Sequence, residues 1–219
     1  MRSLALLPLA ALALGGTLAH PLAAQPSRAS ANPFRIGILA GAGSSNFGGS
    51  DADDAERRTV ILAGLYLVKP LSGTFALRPE VLLSQKGAKT TTIVEQDVVA
   101  KAELKLTYVD VPLLLQFEPA SASTVRPQLY AGPSIGFKAG CSLKVDIGDV
   151  TDSSDCDRDF GIKSLDFGGV IGGGLVFSLG TVGTTVGARY QHGFSDIAKD
   201  ASVRNRVLSL YASVEFGMR

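Results

Sequence analysis

Three polar residues near the C-terminal end could in principle support hydrolysis of an ester or amide bond. His192 is followed by Ser195 and Asp196, and a serine nucleophile needs a base within hydrogen-bond reach and an acid that orients the base. Ser195 lacks the flanking glycines of a nucleophile elbow, and polar residues are common in loops. We therefore expect no catalysis from this trio.

An acidic segment in the second half of the chain has partial features of a cation site. Asp155, Asp157 and Asp159 alternate as carboxylates do around a hard cation. Gly161 comes one place late for an EF-hand turn and the closing Glu is absent. The three aspartates are thus a weak calcium candidate beside the simpler interpretation of a solvated acidic loop, and no metal is expected.

The composition narrows the class of protein. The 219 residues carry a formal net charge of +1, which excludes the global basic field that draws proteins to nucleic acid. Beyond the N-terminus no stretch approaches the roughly 18 apolar residues of a spanning helix. The chain contains no phosphate-binding loop, Cys-rich metal cluster or dinucleotide fingerprint, so no cofactor is expected. A soluble globular protein and a membrane β-barrel remain.

The N-terminus has the layout of an export signal. A positive head, Met1 to Ser3, precedes an apolar run from Leu4 to Leu18, and small residues end at Ala24. This predicts a cleaved signal peptide over residues 1–24 and a mature domain over 25–219; a retained hydrophobic helix is the alternative. Export to an oxidising compartment favours a structural disulfide between the only two cysteines, Cys141 and Cys156.

From Asn32 onward, apolar residues alternate with small or polar ones in eight segments, the period of β-strands. Phe34, Ile36 and Ile38 share one face of the first segment, for example, and Arg35 and Gly37 share the other. The later segments contribute apolar faces that include these residues: Leu65, Val81, Leu113, Ile135, Phe177, Val186 and Val214.

The lengths of the connections decide between two architectures. Short links alternate strictly with long polar ones; the short links follow Lys69, Glu118 and Leu179, and the long ones follow Gly43, Gly87, Lys138 and Gln191. Bacterial outer-membrane barrels have this asymmetry, and only a closed sheet pairs every backbone amide in lipid. The sequence predicts an all-β, eight-stranded, antiparallel, up-and-down transmembrane β-barrel, with a soluble β-sandwich as the alternative.

Two features fit this fold less simply. Pro79, Pro112 and Pro133 fall inside predicted strands, where proline cannot donate to the ladder, and we expect bulges there. Leu104 and Leu106 lie on the inward parity, so either this part of the chain stands above the membrane or the register slips.

Five segments in order resemble one family. They are FALRPEVLLSQKGAK, YVDVPLLLQF, RPQLYAGPSIGF, LDFGGVIGGGLVF and GARYQHGFSDI, and they are similar to the PorT-like, or porin-family, outer-membrane β-barrel proteins. The resemblance implies an eight-stranded barrel in a bacterial outer membrane and little about activity. Such barrels usually end on an aromatic residue that the barrel-assembly machinery reads; here Phe216 is followed by three further residues.

The alternate residues that face the barrel interior carry charges of both signs. A small barrel would bury these charges in hydrogen-bonded pairs. Arg35 and Glu215 fall at similar heights on the first and last strands, and Arg78 and Glu80 neighbour Asp110. A structural plug of salt bridges is favoured over a narrow ion path, because eight strands leave no open lumen. The predicted interior charge network is Arg35, Arg78, Glu80, Asp110, Asp166, Arg189 and Glu215.

The expected function is therefore that of an integral envelope barrel whose external loops contact a surface or ligand, with a small ion or solute pore as the alternative. Outer-membrane lipid and lipopolysaccharide are the expected partners. The charged first loop could meet lipopolysaccharide directly through Arg57 and Arg58 or through bridging divalent ions, but a solvated charged rim is the favoured interpretation of this loop. The extracellular ligand has no sequence signature.

Overall fold

The computed structural model describes residues 34–52, 55–94, 98–119, 123–148, 150–156, 161–199 and 201–217. The predicted signal peptide, residues 1–24, lies outside this part of the chain. No helix among these residues is long and apolar enough to cross a membrane. The strands are β1 (Arg35–Gly48), β2 (Arg58–Pro70), β3 (Phe75–Val94), β4 (Val98–Phe117), β5 (Val125–Ile147), β6 (Val150–Asp155), β7 (Leu165–Leu179), β8 (Val182–Gly193) and β9 (Arg204–Phe216).

Eight of these nine strands form a closed antiparallel ring, which confirms the predicted fold. Neighbours in the ring are neighbours in sequence once the short strand β6 is set aside, and β4 pairs with β5 to complete the circle. The seam lies between β1 and β9, where Ile36 opposes Phe216 and Gly48 opposes Arg204. Because the sheet has no open edge within the ring, its backbone groups are paired internally, as a lipid environment requires.

The two faces of the ring have opposite polarity. Ile36 and Leu113 point outward, with 54% and 48% of their surfaces exposed, whereas Arg78, Asp110 and Arg189 are at most 3% exposed. An ordinary soluble sheet buries the face that carries its apolar side chains. This protein exposes it and encloses the charges, as expected of a barrel in lipid.

Connections at the two ends of the barrel differ in length. At one end lie the tight link after Pro70, the link after Phe117 and the turn after Leu179; at the other, β3 with β4 and β5 with β6 extend as ribbons beyond the ring. Two of the predicted long loops, after Gly87 and Lys138, are therefore largely strand. We label the short-turn end periplasmic and the ribbon end external, following the loop asymmetry of barrels in lipid.

The predicted bulges at the prolines are wrong. Leu77 opposes Lys69 and Glu80 opposes Tyr66, so the same number of residues separates the two pairs on β3 and on β2. Pro79 lies in the stretch between these pairs, where the ladder skips two pairs and resumes in the same register. Pro112 in the β3–β4 ladder and Pro133 in the β4–β5 ladder sit in equivalent gaps.

The one register shift in the β4–β5 ladder lies elsewhere, between Thr107 and Tyr108. Thr107 opposes Gly140 and Tyr108 opposes Lys138, so Ala139 is the extra residue on β5. β4 itself keeps its parity, because its pairing with β3 continues without a shift. Leu104 and Leu106 therefore remain on the inward face, above the apolar belt, where they pack in an apolar cluster.

Candidate functional site

In the middle of the barrel interior, one carboxylate lies between two guanidinium groups. Glu80 Oε2 accepts a hydrogen bond from Arg189 Nη1 at 2.8 Å, and Glu80 Oε1 lies 2.8 Å from Arg78 Nε. All three residues are at most 3% exposed. The second contact is an ion pair rather than an aligned hydrogen bond, since both atoms lack a hydrogen-bond partner among the described residues. With two positive charges and one negative, this layer has a net charge of +1.

Aromatic rings offset part of that positive charge. The Arg78 guanidinium carbon lies 3.9 Å from the ring centroid of Tyr66 and 4.9 Å from that of Tyr130. Electron-rich ring faces attract cations, more strongly where water is excluded. Tyr66 also donates to Ser213 Oγ at 3.2 Å, so the ring that stacks on Arg78 is itself fixed.

A second charged layer lies closer to the external end and is organised by a buried lysine. Lys86 Nζ donates to Asp110 Oδ1 at 2.9 Å and to Asp166 Oδ2 at 3.0 Å. Ser84 donates to the other oxygen of Asp110, and Asn205 donates to Asp166 Oδ2 at 2.8 Å. Two carboxylates around one ammonium leave this layer with a net charge of −1, opposite to that of the middle layer.

A third layer closes the periplasmic end. Arg35 Nε lies 2.9 Å from Glu215 Oε1, and Arg35 Nη2 lies 3.2 Å from Glu118 Oε2. Arg126 Nη2 lies 2.8 Å from the second oxygen of Glu118. These four side chains carry no net charge and join β1, β5 and β9 to the link after β4.

The structure thus places all seven residues of the predicted network inside the barrel, but with partly different partners. Arg35 meets Glu215 across the seam. Asp110 is bound by Lys86 rather than by Arg78, and Glu80 reaches Arg189 on the far wall. Lys86, Glu118 and Arg126 are missing from the predicted network. Lys86 and Arg126 lie on the inward-facing side of their strands, whereas Glu118 follows the end of β4 and has no strand position that would signal its role.

The layers leave little space between them. Near Arg189 a void of only about 10 Å³ is lined by Ser84, Gln191 and Ser209 among others, which is room for about one water molecule. Arg78 and Leu114, which oppose each other on β3 and β4, are almost completely buried, as are Tyr108 and Lys86 closer to the external end. The interior of the described barrel is therefore packed with side chains.

An external cup opens above the barrel. Its volume is about 600 Å³, within the range of ligand pockets, and its walls come from the first external loop, the β3–β4 ribbon and the loop after β8. Apolar groups dominate the lining, with Asp51 and Thr90 among the few polar ones. The lining consists of Phe47, Ser50, Asp51, Ala52, Ala55, Thr90, Leu104, Ile162, Ile197, Ala198 and Val203.

The floor of the cup is braced by the disulfide. Cys141 on β5 and Cys156, just after β6, are bonded, with their Cα atoms 5.3 Å apart. Both pack with Leu106, Tyr108 and Ile197 in one buried apolar cluster. The disulfide therefore closes the base of the β5–β6 ribbon, next to the pair of Ser142 and Asp155.

Ion pairs on the external loops lower the pKa values of three carboxyl groups. Partial burial of Glu103 acts against its charge, but hydrogen bonds from Arg58 and Lys89 hold its pKa below the ordinary value. Thr151 and Lys144 lower the pKa of Asp146 through hydrogen bonds. Asp196 has a lowered pKa chiefly because Arg204 donates to it at 3.0 Å. These loops keep their negative charges at neutral pH.

The possible hydrolytic trio does not assemble. The Ser195 hydroxyl accepts a hydrogen bond from the Phe167 backbone amide at 2.9 Å, Asp196 pairs with Arg204, and His192 Nδ1 lies 3.1 Å from the Tyr190 hydroxyl. Each of the three side chains thus has a different partner.

Of the calcium candidates, Asp155 ends the exposed strand β6, while Asp157 and Asp159 lie outside the described residues. No group of three or more potential metal ligands occurs in the part of the chain that the structure describes.

A closed antiparallel ring with an apolar exterior and enclosed charges defines the class of integral membrane β-barrels. The chain belongs to the family described as outer membrane protein beta-barrel domain, whose model matches residues 23–199. This membership places the protein in the bacterial outer membrane. Comparison with curated proteins returns no match.

Several solved structures have a similar chain path. Neisserial surface protein A is 17% identical, with 83% of this chain and 96% of that one covered and a TM-score of 0.47. Ail, the attachment invasion locus protein of Yersinia pestis, crystallised with the heparin analogue sucrose octasulfate, is 14% identical, with coverages of 84% and 99% and a TM-score of 0.43. The outer membrane enzyme PagL is 16% identical, with coverages of 80% and 97% and a TM-score of 0.43.

Proposed function

We propose that this protein is a plugged surface barrel, whose interior charges brace the wall and whose external cup and ribbons contact an extracellular ligand. The observation that carries the proposal is the stack of three ion-pair layers across the lumen, of which the middle and external layers are buried and the periplasmic layer is partly exposed. A pore would need a continuous polar path, whereas the space beside Arg189 admits about one water.

Planar-bilayer recording tests the plug directly. The refolded protein is expected to give no discrete conductance at moderate voltage, and Glu80→Gln is expected to remain silent, because Arg78 and Lys86 still fill the lumen. Discrete openings whose conductance changes in Glu80→Gln would instead establish the alternative, a small ion or solute pore.

Ligand contact is assigned to the external end on the basis of the cup and the clamped ribbon. Removal of the Cys141–Cys156 segment is expected to abolish adhesion of expressing cells to a surface to which the intact protein adheres, while the barrel keeps its heat-modifiable migration on gels. Adhesion that survives this deletion would remove the ribbon from the function.

We propose that the barrel has no enzymatic activity, on the basis of the separate partners of His192, Ser195 and Asp196. The purified protein is expected to release no fatty acid from lipopolysaccharide, as measured by mass spectrometry. Release that His192→Ala abolishes would show that the side chains rearrange into a working site.

Export and assembly complete the proposal. Residues 1–24 act as a signal peptide removed after Ala24, leaving 25–219 as the barrel domain, and Phe216 at the end of β9 serves the barrel-assembly machinery. We propose further that the chain is a PorT-like barrel, on the basis of the resemblance of the five segments quoted above. N-terminal sequencing of the protein from purified outer membranes tests the cleavage; an intact Met1 would contradict it.

A further inference from the structure

Four polar side chains form one outward-facing row at the external rim, three of them on adjacent strands and Arg57 directly before β2. Asn46 on β1 opposes Arg206 on β9, and Arg206 opposes His192 on β8. The β1–β2 ladder ends with Ser45 opposite Arg58, so its register puts Arg57 beside Asn46. Arg57, Asn46 and Arg206 line one lateral groove of about 240 Å³, which we call the rim groove.

The row lies directly above the apolar belt. Below it on β9 the outward residues run from Leu208 to Phe216; these eight residue steps, at about 3.4 Å each and a tilt of about 40°, span about 21 Å in height. The apolar band of outer-membrane barrels is roughly 25 Å tall. The rim groove therefore sits where acyl chains give way to lipid headgroups, and Tyr190 beside it occupies the position of an interfacial aromatic.

The two arginines of the groove differ from those around them. Arg58 pairs with Glu103 and Arg204 pairs with Asp196, whereas neither Arg57 nor Arg206 forms an ion pair with any carboxylate that the structure describes. The Arg206 side chain lies across Gly48, where an added Cβ would come 2.2 Å from its guanidinium carbon. Two uncompensated guanidinium groups thus face the same groove.

This chemistry matches a phosphate attached to an acyl chain. Arginine binds phosphate through paired, charge-assisted hydrogen bonds, and Asn46, Ser44 and the Tyr190 hydroxyl supply further polar groups. Leu208 at the lower edge of the groove continues into the apolar belt, where an acyl chain would lie. We propose that the rim groove binds the phosphate of an outer-leaflet glycolipid of the lipopolysaccharide type. This inference rests on the membrane residence in the proposed function.

Nanodiscs provide the test. The protein is reconstituted in phosphatidylcholine discs containing either purified lipid A or the same lipid after removal of its phosphates, and retained lipid is counted by native mass spectrometry after transfer to detergent. Loss of charge-assisted hydrogen bonds predicts that Arg57→Gln/Arg206→Gln retains at least about tenfold less lipid A. Gly48→Ala, which displaces only the Arg206 head, is expected to give a smaller loss.

The control variant removes the same charge from the ribbon. Lys101→Gln/Lys144→Gln alters two exposed residues on β4 and β5 and is expected to retain lipid A like the unmodified protein. Equal losses in both double variants, or equal retention of phosphorylated and dephosphorylated lipid, would overturn the inference, as would inorganic phosphate displacing lipid A completely at millimolar concentration. Failure of the unmodified protein to enter the discs would instead contradict the proposed function.

Discussion

Arg189 on β8 donates a hydrogen bond to Glu80 on β3, and these two strands lie four places apart in either direction around the ring of eight. The contact therefore spans the barrel from wall to opposite wall. Because Glu80 also lies against Arg78, one carboxylate pairs with cations from both sides of the lumen. A brace of this kind opposes flattening of the barrel cross-section, which ladder hydrogen bonds alone resist weakly.

Removal of this carboxylate is expected to destabilise the barrel strongly. Glu80→Gln leaves two buried guanidinium groups without a counter-ion, and breaking a buried pair in this way costs about 3–5 kcal/mol. The free energy of unfolding, from urea titrations in lipid vesicles, gives the measurement. Glu103→Gln, which removes a partly exposed carboxylate from Arg58 and Lys89, is expected to cost clearly less than Glu80→Gln. Equal effects of the two substitutions would show that Glu80 is not a brace.

The outward belt predicts a cost that depends on depth. Leu113 lies in the middle of the apolar stretch on β4, and Leu83 lies at the outer end of the stretch on β3; both are about half exposed. Leu113→Arg is expected to cost about 2–4 kcal/mol in vesicles, and Leu83→Arg about 0–1 kcal/mol. A soluble protein would tolerate the two substitutions equally, so equal small costs would contradict the lipid-facing belt.

Loss of the disulfide is expected to loosen the ribbon and spare the barrel. A loop of about 15 residues contributes roughly 3 kcal/mol when closed by a disulfide, and Cys141 and Cys156 belong to the cluster above the ring. Cys141→Ser/Cys156→Ser should therefore be cut by trypsin at Lys144 or Lys163 much faster than the unmodified protein. Its heat-modifiable migration should not change; a lost shift would assign the disulfide to barrel assembly.

Contact between the first external loop and the β3–β4 ribbon should resist mild acid. The pKa of Glu103 is lowered in the folded state, so its contribution to stability is present above the unfolded value, about 4.3, and is lost as the pH falls through the folded value. Amide chemical shifts of Glu56 and Lys89, which pair with each other, should stay constant from pH 7 to about 5. They should change only in stronger acid, and Glu103→Gln should remove that change; a transition near pH 6 would contradict the assignment.

The ring and its polarity could be predicted because each strand carries a period of two that is independent of its neighbours. Partners across the lumen could not, since Glu80 and Arg189 are 109 residues apart and meet only after closure sets the heights of all eight strands. Lys86 shows the same limit. Its place in the alternation of β3 indicates that its side chain faces inward, but no neighbouring residue in the sequence indicates that two aspartates converge on it.

Local irregularities of the strands, such as bulges and skipped pairs, were harder to predict than the partners across the lumen. Proline was expected to force bulges, but skipping two pairs keeps the register and leaves every side chain on its proper face, which a bulge would disturb. The bulge at Ala139 lies between Lys138 and Gly140, with no proline beside it. Strand β6, with the polar sequence VTDSSD, exists because β5 supplies a partner, not because of its own pattern.

The seam between β1 and β9 makes completion of this protein an all-or-none event. Its two strands are the first and last of the ring. A sheet that still lacks its last strand therefore has two unpaired edges, and no local contact joins them. Unpaired amides are costly in hydrocarbon, which means that a nascent intermediate has to be sheltered until the final strand arrives.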